Sequence, residues 1–102
     1  MATKPSLQSK RRKNYGGDLY TNKATLAADT ATRFETTPYK LNDVVFLVKT
    51  NNMLFGDDAT TQDYPVGVDE TVGFTMCDIS TMYFKNATAG NNGVVHIIGV
   101  KE

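Results

Sequence analysis

The chain has no tryptophan, one cysteine (Cys77), one histidine (His96) and three prolines in 102 residues. One cysteine excludes an internal disulfide and a multi-cysteine zinc site, and one histidine excludes a histidine-rich metal centre. Net charge is also missing: 11 lysines and arginines stand against 11 aspartates and glutamates. The overall basic character of a nucleic-acid-binding domain is therefore absent. No run approaches the roughly 18 apolar residues of a membrane-spanning helix. Neither G-x-G-x-x-G nor G-x-x-x-x-G-K-[ST] occurs, so no glycine-rich phosphate loop is expected. What remains is one small domain of 11.2 kDa, with 40% hydrophobic residues to build its core. These absences favour a non-catalytic module without a cofactor.

The charge is unevenly distributed. Residues 1–17 carry Lys4, Lys10, Arg11, Arg12 and Lys13 and no acid. Residues 18–102 hold the other six cations and all 11 acids, a net of −5. A basic arm on an acidic body suits an acidic protein surface, nucleic acid or anionic lipid. The arm is not expected to be a secretory signal, because polar Asn14-Tyr15-Gly16-Gly17-Asp18 follows its basic run where an apolar stretch is required. Pro5 and Gly16-Gly17 oppose the continuous amphipathic helix of a mitochondrial presequence. Gly16-Gly17 reads as a hinge between an arm, 1–17, and a body, 18–102.

The body is written in strands. Threonine occurs 14 times, and with valine and the aromatics it suits a pleated surface. Leu19 to Leu26 predicts a first strand, and Thr32 to Thr36, ended by Pro38, a second. Val44-Val45-Phe46-Leu47-Val48-Lys49 is short and β-branched, which predicts a strand covered on both faces. Asn51-Asn52 predicts a tight hairpin into Met53-Leu54-Phe55. Tyr64 to Val68 contains Pro65 and reads as an edge segment. Val72, Phe74 and Met76 alternate with smaller residues and form one inward face. Ile79 to Lys85 and Gly93 to Val100 complete seven or eight strands. Short strands at this spacing predict an all-β, small antiparallel β-sandwich or barrel.

The candidate chemistry is thin. Asp57, Asp58 and Asp63 share one loop and supply the oxygen ligands that calcium favours, without the spacing of an EF-hand. The alternative is a solvated loop. Cys77 and His96 form the only nucleophile–base combination, and His96 sits in the middle of an apolar strand. Catalysis is not expected. Tyr15, Tyr20, Phe34 and Tyr39 lie near the basic arm, an interleaving that can hold single-stranded nucleic acid, but they are sparse and suit a sheet or a subunit contact better.

Three segments of the C-terminal half carry a resemblance. They are Met53-Leu54-Phe55-Gly56-Asp57-Asp58, Tyr64-Pro65-Val66-Gly67-Val68-Asp69-Glu70-Thr71-Val72, and Asp78-Ile79-Ser80-Thr81-Met82-Tyr83-Phe84-Lys85-Asn86-Ala87-Thr88-Ala89-Gly90. Together they resemble small structural proteins of tailed-phage virions. The likeness covers roughly residues 41–100 and leaves residues 1–40 aside. It implies a jelly-roll-like β-sandwich of the capsid decoration or cement type, often trimeric, and no enzyme activity. The implied location is the virion, with the capsid exterior favoured, after synthesis in the bacterial cytoplasm. The implied partner is the major capsid protein, with neither membrane nor nucleic acid involved. Lys4, Lys10, Arg11, Arg12, Lys13 and Tyr15 would then form a capsid-binding arm whose cations meet shell carboxylates. The alternative is a surface recognition module in a head fibre or tail that binds host glycans or a receptor.

Overall fold

A computed structural model describes residues 17–26, 30–88 and 92–102. The arm residues Lys4, Lys10, Arg11, Arg12, Lys13 and Tyr15 lie outside the described residues. The strands are β1 (Leu19–Leu26), β2 (Lys40–Val48), β3 (Met53–Gly56), β4 (Tyr64–Val66), β5 (Thr71–Asp78), β6 (Tyr83–Asn86) and β7 (Gly93–Lys101), with one 3-10 turn at Ile79–Thr81. A four-stranded sheet, β1-β7-β2-β5, packs on a three-stranded sheet, β4-β3-β6, and every pairing is antiparallel. The all-β sandwich expected from the sequence is the fold observed. Its strand order is that of an eight-stranded jelly roll whose second strand has shrunk to one bridge. That bridge joins Thr32 to Phe84 on β6 by two backbone hydrogen bonds of 2.9 Å.

The sheets are held together by a run of phenylalanines. Phe46, fully buried on β2, lies 5.6 Å from Phe55 of the facing sheet, 6.3 Å from Phe74 on β5 and 6.2 Å from Phe34. Phe84 closes the cluster at 5.2 Å from Phe34 and 5.5 Å from Phe55. Tilted and edge-on contacts of this kind add to the burial energy of the rings. A polar tie joins the sheets at one end, where the buried Asn86 donates from Nδ2 to the Leu26 carbonyl at 3.2 Å. There β7 begins with Gly93, where an added Cβ would collide with Met53 and Asn86. The crossing from β1 to β2 is pinned by Arg33. Its guanidinium donates to the Ser80 carbonyl at 3.0 Å and lies 5.0 Å from the Tyr83 ring centroid.

Several expectations need correction. Thr32 to Thr36 is not a strand; only Thr32 pairs. Asn51-Asn52 does not close a hairpin, because β2 and β3 belong to different sheets. The turn is held by other segments instead: Asn51 donates to the Asn92 carbonyl, Asn52 Oδ1 accepts from Val68 N, and the Asn52 carbonyl accepts from Ala87 N. Ile79 to Lys85 is a 3-10 turn followed by a short strand. Asp78 starts the turn, its Oδ1 accepting from Ser80 N and Ser80 Oγ while also taking the Tyr39 N–H. The bond from Tyr39 N, followed by those from Ser80, holds the Asp78 carboxyl below its ordinary range. Met76 points outward and is 63% exposed. The reason lies on the neighbouring strand. Asp43 takes a φ of 52°, and the β2–β7 register slips between Asn42 and Val45. This bulge reverses the in–out phase, so that Leu41 and Cys77 face the core and Met76, expected inward, does not. Finally, β2 is covered on one face only: Val44, Phe46 and Val48 are buried, whereas Val45 and Leu47 are half-buried.

Replacing Phe46 with alanine should cost about 3–5 kcal/mol, a large part of the ~5–15 kcal/mol that stabilises a domain. Circular dichroism should show the melting temperature falling by at least about 15 °C, at several degrees per kcal/mol. A fall of only a few degrees would mean that the cluster does not hold the sheets together.

Candidate functional site

The residues singled out in the sequence do not converge. In the acidic loop, Asp58 Oδ1 accepts from both Thr60 N and Thr60 Oγ1 at 2.7 Å, bonds that hold its carboxyl below the ordinary value. Among the described residues no group of three acidic, histidine or cysteine side chains is placed to hold a metal ion. Asp58 thus closes its own turn on Thr60, while Asp57 and Asp63 stand exposed beside it. Asp69 and Glu70 shape the turn before β5: Asp69 has a φ of 67° and pairs with Lys49, and Glu70 Oε1 accepts from Gly67 N at 2.7 Å.

Cys77 and His96 lie on opposite faces of the four-stranded sheet. Cys77 is paired with the buried Leu41 at one end of β2, and His96 with Leu47 near the other. They cannot act on one substrate atom. Burial, and after it the Asp78 charge, pushes the Cys77 thiol up to about 11. Of the aromatics near the arm, Tyr15 lies outside the described residues, and Tyr20, Phe34 and Tyr39 are structural. Tyr20 is buried, donates from its hydroxyl to Glu35 Oε2 at 2.6 Å and lies 5.0 Å from the Tyr39 ring. Its own ionisation is pushed up to about 12, mainly by burial. Phe34 belongs to the phenylalanine cluster.

Two surfaces remain. The first is a cleft of about 380 Å³ at the open edge between the sheets, where β5 passes β3 and β4. Phe55, Tyr64, Val72, Phe74 and Met82 line it, and Asp57 stands among the lining residues. Tyr64 is 63% exposed. The cleft exists because Pro65 makes β4 a short edge strand that leaves part of β5 uncovered. The second surface is the outer face of the four-stranded sheet. Along β7 the inner positions, Gly93, Val95, Ile97 and Gly99, are buried, which places Val94, His96, Ile98 and Val100 outside. Val45 and Leu47 of β2 lie beside them. The face is apolar at Val45, Leu47, Val94, Ile98 and Val100, with His96 and Asn42 among them, and nothing in the described fold packs on it.

The sequence contained a signal for this face. Val44–Val48 is apolar without interruption and Val94–Ile98 is broken by His96 alone, whereas a strand with one solvated face alternates. The cleft had no such signal, because its lining comes from four separate elements.

No protein-family model, curated protein or solved structure matches the chain.

The state of Cys77 is directly measurable. With the thiol raised from 9.0 to about 11, its thiolate population at pH 8 is about a hundredfold below that of an ordinary cysteine. Alkylation of the native protein should be slower by at least that factor, and should recover the ordinary rate in denaturant. A native rate equal to that of a free thiol would show that Cys77 is not shielded by the core.

Proposed function

We propose that this protein is a non-enzymatic structural component of a tailed-phage virion, a decoration protein that stabilises the head by bridging neighbouring capsid subunits. The observation that supports this reading best is the uncovered apolar face of the four-stranded sheet. Contiguous apolar surface of this kind marks a surface for protein contact. The charge split supplies the second means of attachment. Lys4, Lys10, Arg11, Arg12 and Lys13, followed by Tyr15, offer a cationic segment to carboxylates on the outer surface of the major capsid protein. Such pairs steer association and fix position, while apolar contacts supply most of the affinity. A sandwich built from residues 18–102 also has a small core of its own, so association adds burial that the isolated domain lacks.

Co-sedimentation with empty phage shells at physiological salt tests the reading. The full chain should bind saturably, and a chain lacking residues 2–13 should bind at least tenfold more weakly. If neither form sediments with the shells, the decoration role is wrong. If both bind equally, the arm is not the anchor.

A second reading, a recognition module of a head fibre or tail, is favoured by the cleft. Tyr64 and Phe74 offer aromatic surface beside Asp57, a combination that stacks on a sugar ring and accepts its hydroxyl hydrogens. Loss of host-glycan binding in Tyr64→Ala, by a protein that ignores shells, would select this reading.

A further inference from the structure

We infer that the outer face of the four-stranded sheet is a two-fold interface, which pairs this chain with a second copy of itself. The inference rests on reading this face as an assembly surface and deepens that reading by naming the partner and the symmetry.

The strand register lays the face out in rows. The central row runs Thr21 on β1, Ile98 on β7, Val45 on β2 and Gly73 on β5. Ile98 is its projecting group, 45% exposed. Gly73 is exposed and has no side chain, so it leaves a slot, and an added Cβ there would stand 3.1 Å from the Val44 carbonyl oxygen. Knob and slot are each one strand spacing, about 4.8 Å, from Val45 on opposite sides. A two-fold axis running along β2 beneath Val45 exchanges these two sides. It therefore seats Ile98 of each copy over Gly73 of the other, and sets Val45 against Val45.

The neighbouring rows obey the same operation. The row Leu19, Val100, Asn42, Met76 places Val100 against Met76, the side chain that the Asp43 bulge turned outward. In the row Lys23, His96, Leu47, Thr71, Leu47 meets its own copy and His96 meets Thr71. Lys23, the cation of these rows, sits on the edge strand β1. The axis carries it past the partner's β5 edge, so the two lysines do not oppose each other. An isologous interface requires this kind of self-complementarity: a patch that fits itself after rotation.

Three strands, β7, β2 and β5, overlap across the axis; about 4.8 Å apart, each with about eight residues at 3.3 Å, they span roughly 380 Å². Two such faces bury about 800 Å², the size of a weak, transient contact. Twisted sheets stack about 30° from parallel, which makes the fit tightest near the axis, at Val45, Ile98 and Gly73. An interface of this size predicts a weak, reversible dimer, not a permanent one.

Sedimentation equilibrium of the full chain from about 1 μM to 1 mM reads this directly. The expected result is a monomer–dimer equilibrium whose limiting mass is twice 11.2 kDa. Ile98→Lys should raise the dissociation constant at least fiftyfold, and Thr36→Lys, on an exposed loop outside the face, should leave it unchanged. A cross-link keeps the proposal open to refutation if Ile98→Lys fails to fold. In a Cys77→Ala background, Val45→Cys should be joined into a covalent dimer by a short bis-maleimide, whereas Thr36→Cys should not. A monomer throughout the concentration range, a limiting mass of three chains, an unaltered constant in Ile98→Lys or no cross-link at position 45 would each overturn the proposal. Shell binding is a separate measurement. A monomer that binds shells would refute the two-fold face and leave the decoration reading standing, and a dimer that ignores shells would do the reverse.

Discussion

The contact of Phe46 with Phe55 and Phe84's neighbourhood across the sandwich is the constraint on which the remaining structure depends. Each sheet has one face that must leave water, and the described residues form two sheets. Once Phe46 commits the inner face of β2 to the smaller sheet, alternation along the strand fixes the opposite side of Val45 and Leu47. The same holds for β7, where buried Val95 and Ile97 force His96 and Ile98 outward. The apolar outer face is thus a geometric consequence of the core. Its centre is apolar, at Val45, Leu47 and Ile98, and among the described residues no third layer covers it.

Much of this was legible in the sequence, and the failures share a cause. The first strand, Leu19–Leu26, and the last strong strand from Gly93 follow from local composition, as does the demotion of the Pro65 segment to an edge. Met76 was misplaced because its orientation is decided by Asp43, a residue on another strand whose positive φ shifts the phase. The Asn51-Asn52 turn was identified, but a turn does not reveal whether the chain returns to its own sheet or crosses to the other. Here the crossing is set by Asn52 reaching Val68 and Ala87. The strand expected at Thr32–Thr36 survives as a single bridge, since Arg33 and Phe34 turn to Ser80 and the core instead of extending the ladder. The cleft draws Phe55, Tyr64, Val72 and Met82 from separate elements, and local pattern has no access to such a meeting.

The polar groups that looked most like chemistry have structural work. Asp58 closes its own turn on Thr60, and Asp78 gathers Tyr39 and Ser80 at the start of the 3-10 turn. Asp69 answers Lys49, and Glu35 receives the Tyr20 hydroxyl. Cys77 is turned into the core, where its thiol is pushed away from the reactive thiolate. With these groups occupied, the described surface offers contact more readily than reaction. The broad apolar face and the aromatic cleft are its two distinctive features, and both suit binding.

The proposed pair also bears on how a basic arm would act. Residues 1–16 join the body just before β1, and β1 is the edge strand on the Ile98 side of the face. A two-fold axis along β2 sends the two β1 strands to opposite edges of the dimer, so the two arms begin on opposite sides of one rigid body. Each arm carries five cations, and a single exposed charge pair contributes little at physiological salt. Two arms on one body behave differently. Once the first is attached, the second faces its site at an effective concentration in the millimolar range, and avidity exceeds the single affinity by ~10²–10⁴ without any new contact. A weak arm and a weak interface are therefore consistent with firm attachment when they act together. In the proposed decoration role, a pair whose arms begin on opposite edges suits bridging between neighbouring shell subunits.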